Sequence, residues 1–185
     1  MHNAYLMVHE QRSTPPSVTL VVMGVSGIGK STIAAELVAR TGWTFAEGDD
    51  MHPEANRRAM AAGHPLDDAQ RWPWLRRVAA WIGEQENAGR NAVVTCSALK
   101  RSYRDLLRDG HPSVTFVDLV APPELVDARI TERRGHFMPA ALLASQLSTL
   151  EPLQAGEPGI EVTATGTPDD IAASALRALG IDPAV

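Results

Sequence analysis

Gly24-Val25-Ser26-Gly27-Ile28-Gly29-Lys30-Ser31 has the residue types and spacing to hold a polyphosphate. Glycines let a backbone curl until successive N–H groups point at phosphate oxygens. A lysine placed here reaches the β- and γ-phosphates, and the serine hydroxyl ligates Mg2+. Gly24, Ser26, Gly27, Ile28, Gly29, Lys30, Ser31 and Thr32 are therefore expected to bind ATP, with Lys30 also catalytic. A P-loop needs a strand before it and a helix after it. Residues 18–23 read as a buried strand, and residues 30–41 as a helix closed by Gly42. The glycines do not form G-x-G-x-x-G, so a dinucleotide fingerprint is not supported.

A phosphoryl donor needs an acceptor. Asp49 and Asp50 follow a second strand at 43–47. A hydroxyl acceptor requires a carboxylate to orient it and take its proton, and Asp49 is the candidate. Ser31, Glu47 and Asp50 are the candidate Mg2+ ligands. Lys100 and Arg101 follow a third strand at 91–96, and Arg104 lies four residues beyond Lys100 on one helical face. That cluster suits an anionic acceptor, the plainer alternative being a solvated helix start. Arg129 and Arg133 share a face at i, i+4, ahead of Arg134-Gly135-His136. Cations on a mobile lid stabilise the transferring phosphoryl oxygens, with a plain charged helix end as the alternative.

The elements that must position these residues alternate. Further helices are expected at 52–63, 72–86, 102–108, 123–133, 140–149 and 168–179, with strands at 114–120 and 159–163 and a polar loop at 66–71. Alternation of this kind predicts a parallel sheet with helices on both faces and ligands at the carboxyl ends of the strands. Residues 1–17 read as a disordered leader and 18–185 as one domain, with a lid at about 124–150.

The net charge of −5 argues against a general nucleic-acid surface. No apolar run reaches membrane-spanning length, and the start lacks a secretory pattern. A single cysteine, Cys96, forbids an intrachain disulfide and fits a reducing, cytoplasmic setting. His52, His64 and His136 lack metal-ligand spacing, so a structural zinc site is not expected. The guanine-reading N-K-x-D tetrapeptide of GTPases is absent.

Longer motifs carry a family resemblance. They are Glu47-Gly48-Asp49-Asp50-Met51-His52-Pro53, Gly63-His64-Pro65-Leu66-Asp67-Asp68 and Arg71-Trp72-Pro73-Trp74-Leu75. Val94-Thr95-Cys96-Ser97-Ala98-Leu99-Lys100-Arg101-Ser102-Tyr103-Arg104-Asp105 and Gly135-His136-Phe137-Met138-Pro139 with Ser145-Gln146-Leu147 follow in order. With the P-loop, these stretches resemble the small P-loop gluconokinases, relatives of shikimate and nucleoside-monophosphate kinases. The resemblance implies a three-layer P-loop kinase fold with a five-stranded parallel sheet and a small mobile lid. It implies transfer from ATP to D-gluconate with Mg2+, commonly in a homodimer. Asp49 matches the family's base, and Arg133 stands where the lid arginine belongs. Lys100, Arg104, Arg71 and His136 match positions that line the sugar-acid pocket. Ala59 stands where relatives often have lysine, with Arg57 and Arg58 just before it; Arg57 is the candidate to supply the missing anion contact. A kinase for another sugar acid or small polyol, and a non-catalytic ATP-binding module, remain the alternatives.

Overall fold

A computed structural model describes residues 17–132 and 140–184. In chain order its elements are β1 (Thr19–Met23), α1 (Lys30–Thr41), β2 (Thr44–Ala46), a 3-10 turn (Gly48–Met51), α2 (Glu54–Ala61), α3 (Asp68–Asn87), β3 (Ala92–Thr95), α4 (Arg101–Arg108), β4 (Val114–Val120), α5 (Pro123–Glu132), α6 (Ala140–Thr149), β5 (Gly159–Thr163) and α7 (Pro168–Leu179). The five strands pair in the order β2-β3-β1-β4-β5, all parallel. β1 is central, in register with β3 through Thr19↔Ala92 and with β4 through Thr19↔Val114. Its five residues are all buried, as a strand covered on both faces requires.

Alternate strand residues point to opposite faces and build two cores. Leu20, Val22, Val93, Val117 and Leu119 meet Ile33, Ala34 and Leu37 of α1 and Ile171, Ala172, Ala175 and Leu176 of α7. Val21, Met23, Val94 and Phe116 meet Trp74, Leu75, Val78 and Ile82 of α3 and Tyr103 and Leu107 of α4. The expected three layers are present. Because every strand runs the same way, the loops after β1, β2 and β3 emerge on one edge.

Most boundaries fall within two residues of expectation, and the start of α3 differs most. Residues 66–71 were expected as a polar loop with a helix from 72, where the apolar spacing begins. Instead α3 begins at Asp68 and carries Pro73 inside it. Asp67 is the N-cap: Asp67 Oδ1 accepts from Gln70 N at 2.8 Å, and Asp67 N donates to Gln70 Oε1 at 2.9 Å. This reciprocal capping box satisfies two otherwise orphaned donors and sets the start five residues before the proline. It also brings Asp68 and Arg71 onto ordered helix beside the site.

Asp118 of β4 is 2% exposed, and its Oδ1 has no hydrogen-bond partner among the described residues. Burial, then the Glu161 charge, pushes its carboxyl up to about 6, against the pull of Arg104. The fold thus prefers the protonated form, and stability falls as pH rises from about 4 through about 6. Asp118→Asn should stabilise the protein at pH 8 by on the order of 2 kcal/mol and change nothing near pH 3. Urea unfolding at both pH values checks this; an equal effect at both would contradict it.

Candidate active site

The loop from Gly24 to Gly29 is built on positive φ angles: 128° at Gly24, 83° at Gly27 and 111° at Gly29. A side chain at Gly24 would also place its Cβ 2.8 Å from the Leu119 carbonyl oxygen. Gly29 is the left-handed N-cap of α1, and with no side chain it brings the positive end of the helix to the loop, the place where a phosphate is favoured. Lys30 is buried and its Nζ donates to Val25 O at 3.1 Å, which folds its chain back over the loop. Ser31 and Thr32 are exposed on the first turn of α1. Ile28 is buried, so of the nucleotide-binding candidates it contributes through its backbone and its core contact.

The acidic turn after β2 is clamped to β3. Thr95 Oγ1 accepts from Gly48 N at 3.0 Å and donates to Glu47 Oε1. A Cβ on Gly48 would lie 1.9 Å from Thr95 O, so only glycine permits this approach. Trp74 Nε1 donates to Gly48 O at 2.7 Å from the other side. Asp49 and Asp50 are exposed on the turn held this way. The Cys96 thiol, pushed up to about 12 by burial, also feels the charges of Asp49, Lys30 and Arg71. The P-loop follows β1 and the acidic turn follows β2, the two strands that flank β3, and each is bonded to the end of β3 or the residues just after it, through Gly24 N to Ser97 O at 3.4 Å and Gly48 N to Thr95 Oγ1. Cys96 itself is buried and inert as a nucleophile.

His52 is 3% exposed and stacks on Trp74, with centroids 4.0 Å apart and planes at 17°. Burial, helped by the Arg71 and Arg57 charges, pushes its pKa down to about 4. Sequence reasoning weighed this histidine only as a metal ligand. Its packing on Trp74, 22 positions away, left no local signal.

The basic residues divide. Lys100 Nζ donates to both oxygens of Asp68, at 2.8 and 2.9 Å, and Tyr103 Oη donates to Asp68 Oδ1 at 2.5 Å. The Lys100 bond, then the Tyr103 bond, holds the Asp68 carboxyl below its usual range. Asp68 thus keeps Lys100 on the α3 side of the pocket, a role that sequence reasoning did not assign. Arg71 is buried; its Nε donates to Leu66 O at 3.2 Å, and its guanidinium lies 5.9 Å from the Tyr103 ring centre. Arg57 is turned back on the acidic turn, with Nη1 2.8 Å from His52 O and 3.3 Å from Asp50 O. Arg58 pairs with Glu54 at 3.2 Å on the exposed side of α2.

Arg104 requires a correction. It was expected to hold the sugar acid, but it is 0% exposed. Nε and Nη2 grip the two Glu157 oxygens at 2.6 and 2.9 Å. Nη1 reaches Glu151 O at 2.9 Å and Ala98 O at 3.2 Å, and Nη2 reaches Pro152 O at 3.2 Å. An arginine has five N–H donors, and the protein occupies them. Arg104 ties α4 to the segment after α6 and has nothing left for a ligand.

Arg133 and His136 lie outside the described residues, and the Arg129 side chain is likewise not described. The expected lid region contains α5 and α6. From α6, Gln146 Oε1 accepts from Ser26 N at 2.7 Å. This contact joins α6 to the P-loop across 120 residues. Gln146 was part of a recognised motif, but no role followed from its type.

The candidate metal ligands Ser31, Glu47 and Asp50 are all oxygen donors, the set that Mg2+ prefers. Among the described residues no cluster of three His, Cys, Asp or Glu side chains could cage a metal.

Residues 20–153 match the family model described as AAA domain. The chain is 51% identical over 159 residues to the gluconokinase of Gluconobacter oxydans, covering 85% of this chain and 89% of that protein. A sugar kinase from Janibacter sp. HTCC2649 superposes with a TM-score of 0.85 at 49% identity, over 90% of this chain and 96% of that one. A gluconokinase from Sinorhizobium meliloti superposes with a TM-score of 0.78 at 42% identity, over 89% and 92%.

Proposed function

The chain belongs to the gluconokinase family, and on that premise we propose that it transfers the γ-phosphoryl group of ATP to D-gluconate, giving ADP and 6-phospho-D-gluconate. The observation that carries this reading is the placement of the P-loop and the Asp49 turn on either side of the end of β3, tied to it through Gly24 N to Ser97 O and Gly48 N to Thr95 Oγ1. Donor side and acceptor side share one edge of one sheet.

The residues divide the work. The P-loop amides and Lys30 hold the β- and γ-phosphates, with Arg129 and Arg133 as the cations of the lid. Asp49 orients the terminal hydroxyl of gluconate and accepts its proton. Ser31, Glu47 and Asp50 would hold Mg2+, directly or through water. The ion, when bound, supplies charge neutralisation between the phosphates. Lys100, Arg71, Arg57 and His136 receive the carboxylate and hydroxyls of the sugar acid; Arg104 is not among them. For Lys100 this means sharing its ammonium between Asp68 and the incoming carboxylate.

Lys100→Met should raise the KM for gluconate about tenfold or more, as expected for one charge-assisted hydrogen bond, and leave the KM for ATP unchanged. Steady-state kinetics with each substrate varied in turn checks this; an unchanged gluconate KM would remove Lys100 from the pocket. The proposal includes a homodimer working in the cytoplasm, where the buried Cys96 stays reduced. No helix among the described residues is long and apolar enough to cross a membrane.

The reaction is tested by 31P NMR of the product formed from ATP and D-gluconate. A new phosphomonoester on the C6 oxygen is expected. A phosphomonoester formed only from another sugar acid would move the substrate assignment, and Ala59 with Arg57 and Arg58 is where the difference would lie.

A further inference from the structure

The hydrogen bonds around His52 fix which ring nitrogen carries the proton. Asn56 Nδ2 donates to Gln70 O at 2.8 Å, which identifies the nitrogen end of that amide. The same Nδ2 lies 3.3 Å from His52 Nδ1. A carboxamide nitrogen only donates, so Nδ1 must be the bare acceptor of a neutral ring. The proton is then on Nε2. Nε2 faces Asp49, with Oδ1 4.0 Å away. The ring cannot swing aside: it is stacked on Trp74, and Trp74 is itself pinned to Gly48 O.

Asp49 is the mobile partner, with its side chain 60% exposed. At 4.0 Å the contact is too long for a hydrogen bond, and of the two side chains the exposed Asp49 is the one with room to shorten it. Hydrogen bonds of this kind often tighten only when substrate arrives.

We infer that His52 is a positioning residue for Asp49: its Nε2–H holds one carboxylate oxygen and so turns the other toward the acceptor hydroxyl. The chain of contacts runs from Gln70 O through Asn56 and His52 to Asp49. It uses α2 and α3 to fix the tautomer and Trp74 to fix the ring plane. His52 does not touch substrate and exchanges no proton. The inference rests on the assignment of Asp49 as the group that receives the hydroxyl proton.

The test combines kinetics with a spectroscopic readout. His52→Phe keeps a ring on Trp74 and removes the donor; His52→Gln keeps an N–H near the position of Nε2. His52→Phe should lower kcat by about 10- to 100-fold, the scale of a misplaced reacting group, with both KM values within about twofold. His52→Gln should recover most of that loss. In an Asp49→Asn background, His52→Phe should cost nothing further, because there is no carboxylate left to position. Independently of activity, 15N NMR of the wild-type protein at neutral pH should show Nε2 protonated and Nδ1 bare. Wild-type kcat in His52→Phe, an undiminished effect in the Asp49→Asn background, or a proton on Nδ1 would each overturn the inference. Full turnover in Asp49→Asn itself would overturn the assignment of Asp49, and this inference with it, whatever the spectrum shows.

Discussion

Asp49→Asn is expected to lower kcat by about 100- to 10,000-fold, the usual contribution of a positioned proton acceptor. The Kd for ATP should not change. Asparagine keeps the size and one acceptor oxygen, so the turn clamped between Thr95 and Trp74 survives. It cannot take a proton or carry the charge that draws the hydroxyl into line. The Asp49 side chain is largely exposed, so the fold should be nearly indifferent to the change. ATP binding belongs to a different loop, the one between β1 and α1. Turnover by single-turnover kinetics and ATP affinity by calorimetry separate the two effects. Equal losses in both would mean that Asp49 supports nucleotide binding and not the acceptor.

The second large effect falls on stability. Arg104→Leu should cost about 3 kcal/mol, because it strips the buried Glu157 carboxylate of its two-point partner and leaves it only the Gln154 amide at 2.8 Å and the longer Arg101 contact. Glu157 has a side-chain exposure of 1%, and its neighbour Arg101 stands off at 3.7 Å. The loss is comparable with a sizeable part of a domain's total stability. Replacing both partners by apolar residues, Arg104→Leu with Glu157→Leu, should recover much of it, since the pair is costly to split and cheap to remove whole. Chemical denaturation of the three variants measures this. A protein of unchanged stability but raised KM for gluconate would return Arg104 to the substrate pocket.

Arg104 also marks the limit of what sequence spacing discloses. Its position four residues after Lys100 rightly places it one turn further along α4. The spacing does not say that the face turns inward, because the partner that neutralises it, Glu157, lies 53 residues away. Charge type and helical period are local; burial of a charge is decided by a long-range partner. The same holds for Gln146 and Ser26, and for His52 with Trp74: ordinary residue types, made informative only by folding.

Other features were legible because their causes are local. The P-loop is glycine geometry within eight residues. The strands are apolar runs, and α7 carries both its signals in sequence, with Thr167 accepting from Asp170 N at 3.2 Å and Gly180 closing it in a left-handed conformation. The start of α3 was local too, in Asp67-x-x-Gln70, but the polar residues of its first turn read as loop, and the boundary was drawn a turn late. Strand order was not legible. Alternation implies parallel crossovers, yet β1 could have neighboured β2; the chain instead inserts β3 between them. That insertion puts the end of β3 between the P-loop and the acidic turn, where Cys96 feels both Lys30 and Asp49.

The most direct measurement is Mg2+-dependent ADP release by the purified protein, with and without D-gluconate, beside a panel of other sugar acids. The account predicts little release from ATP alone and a steep rise when gluconate is added. Release at the same rate with no acceptor present, or ATP binding that no acid stimulates, would contradict it.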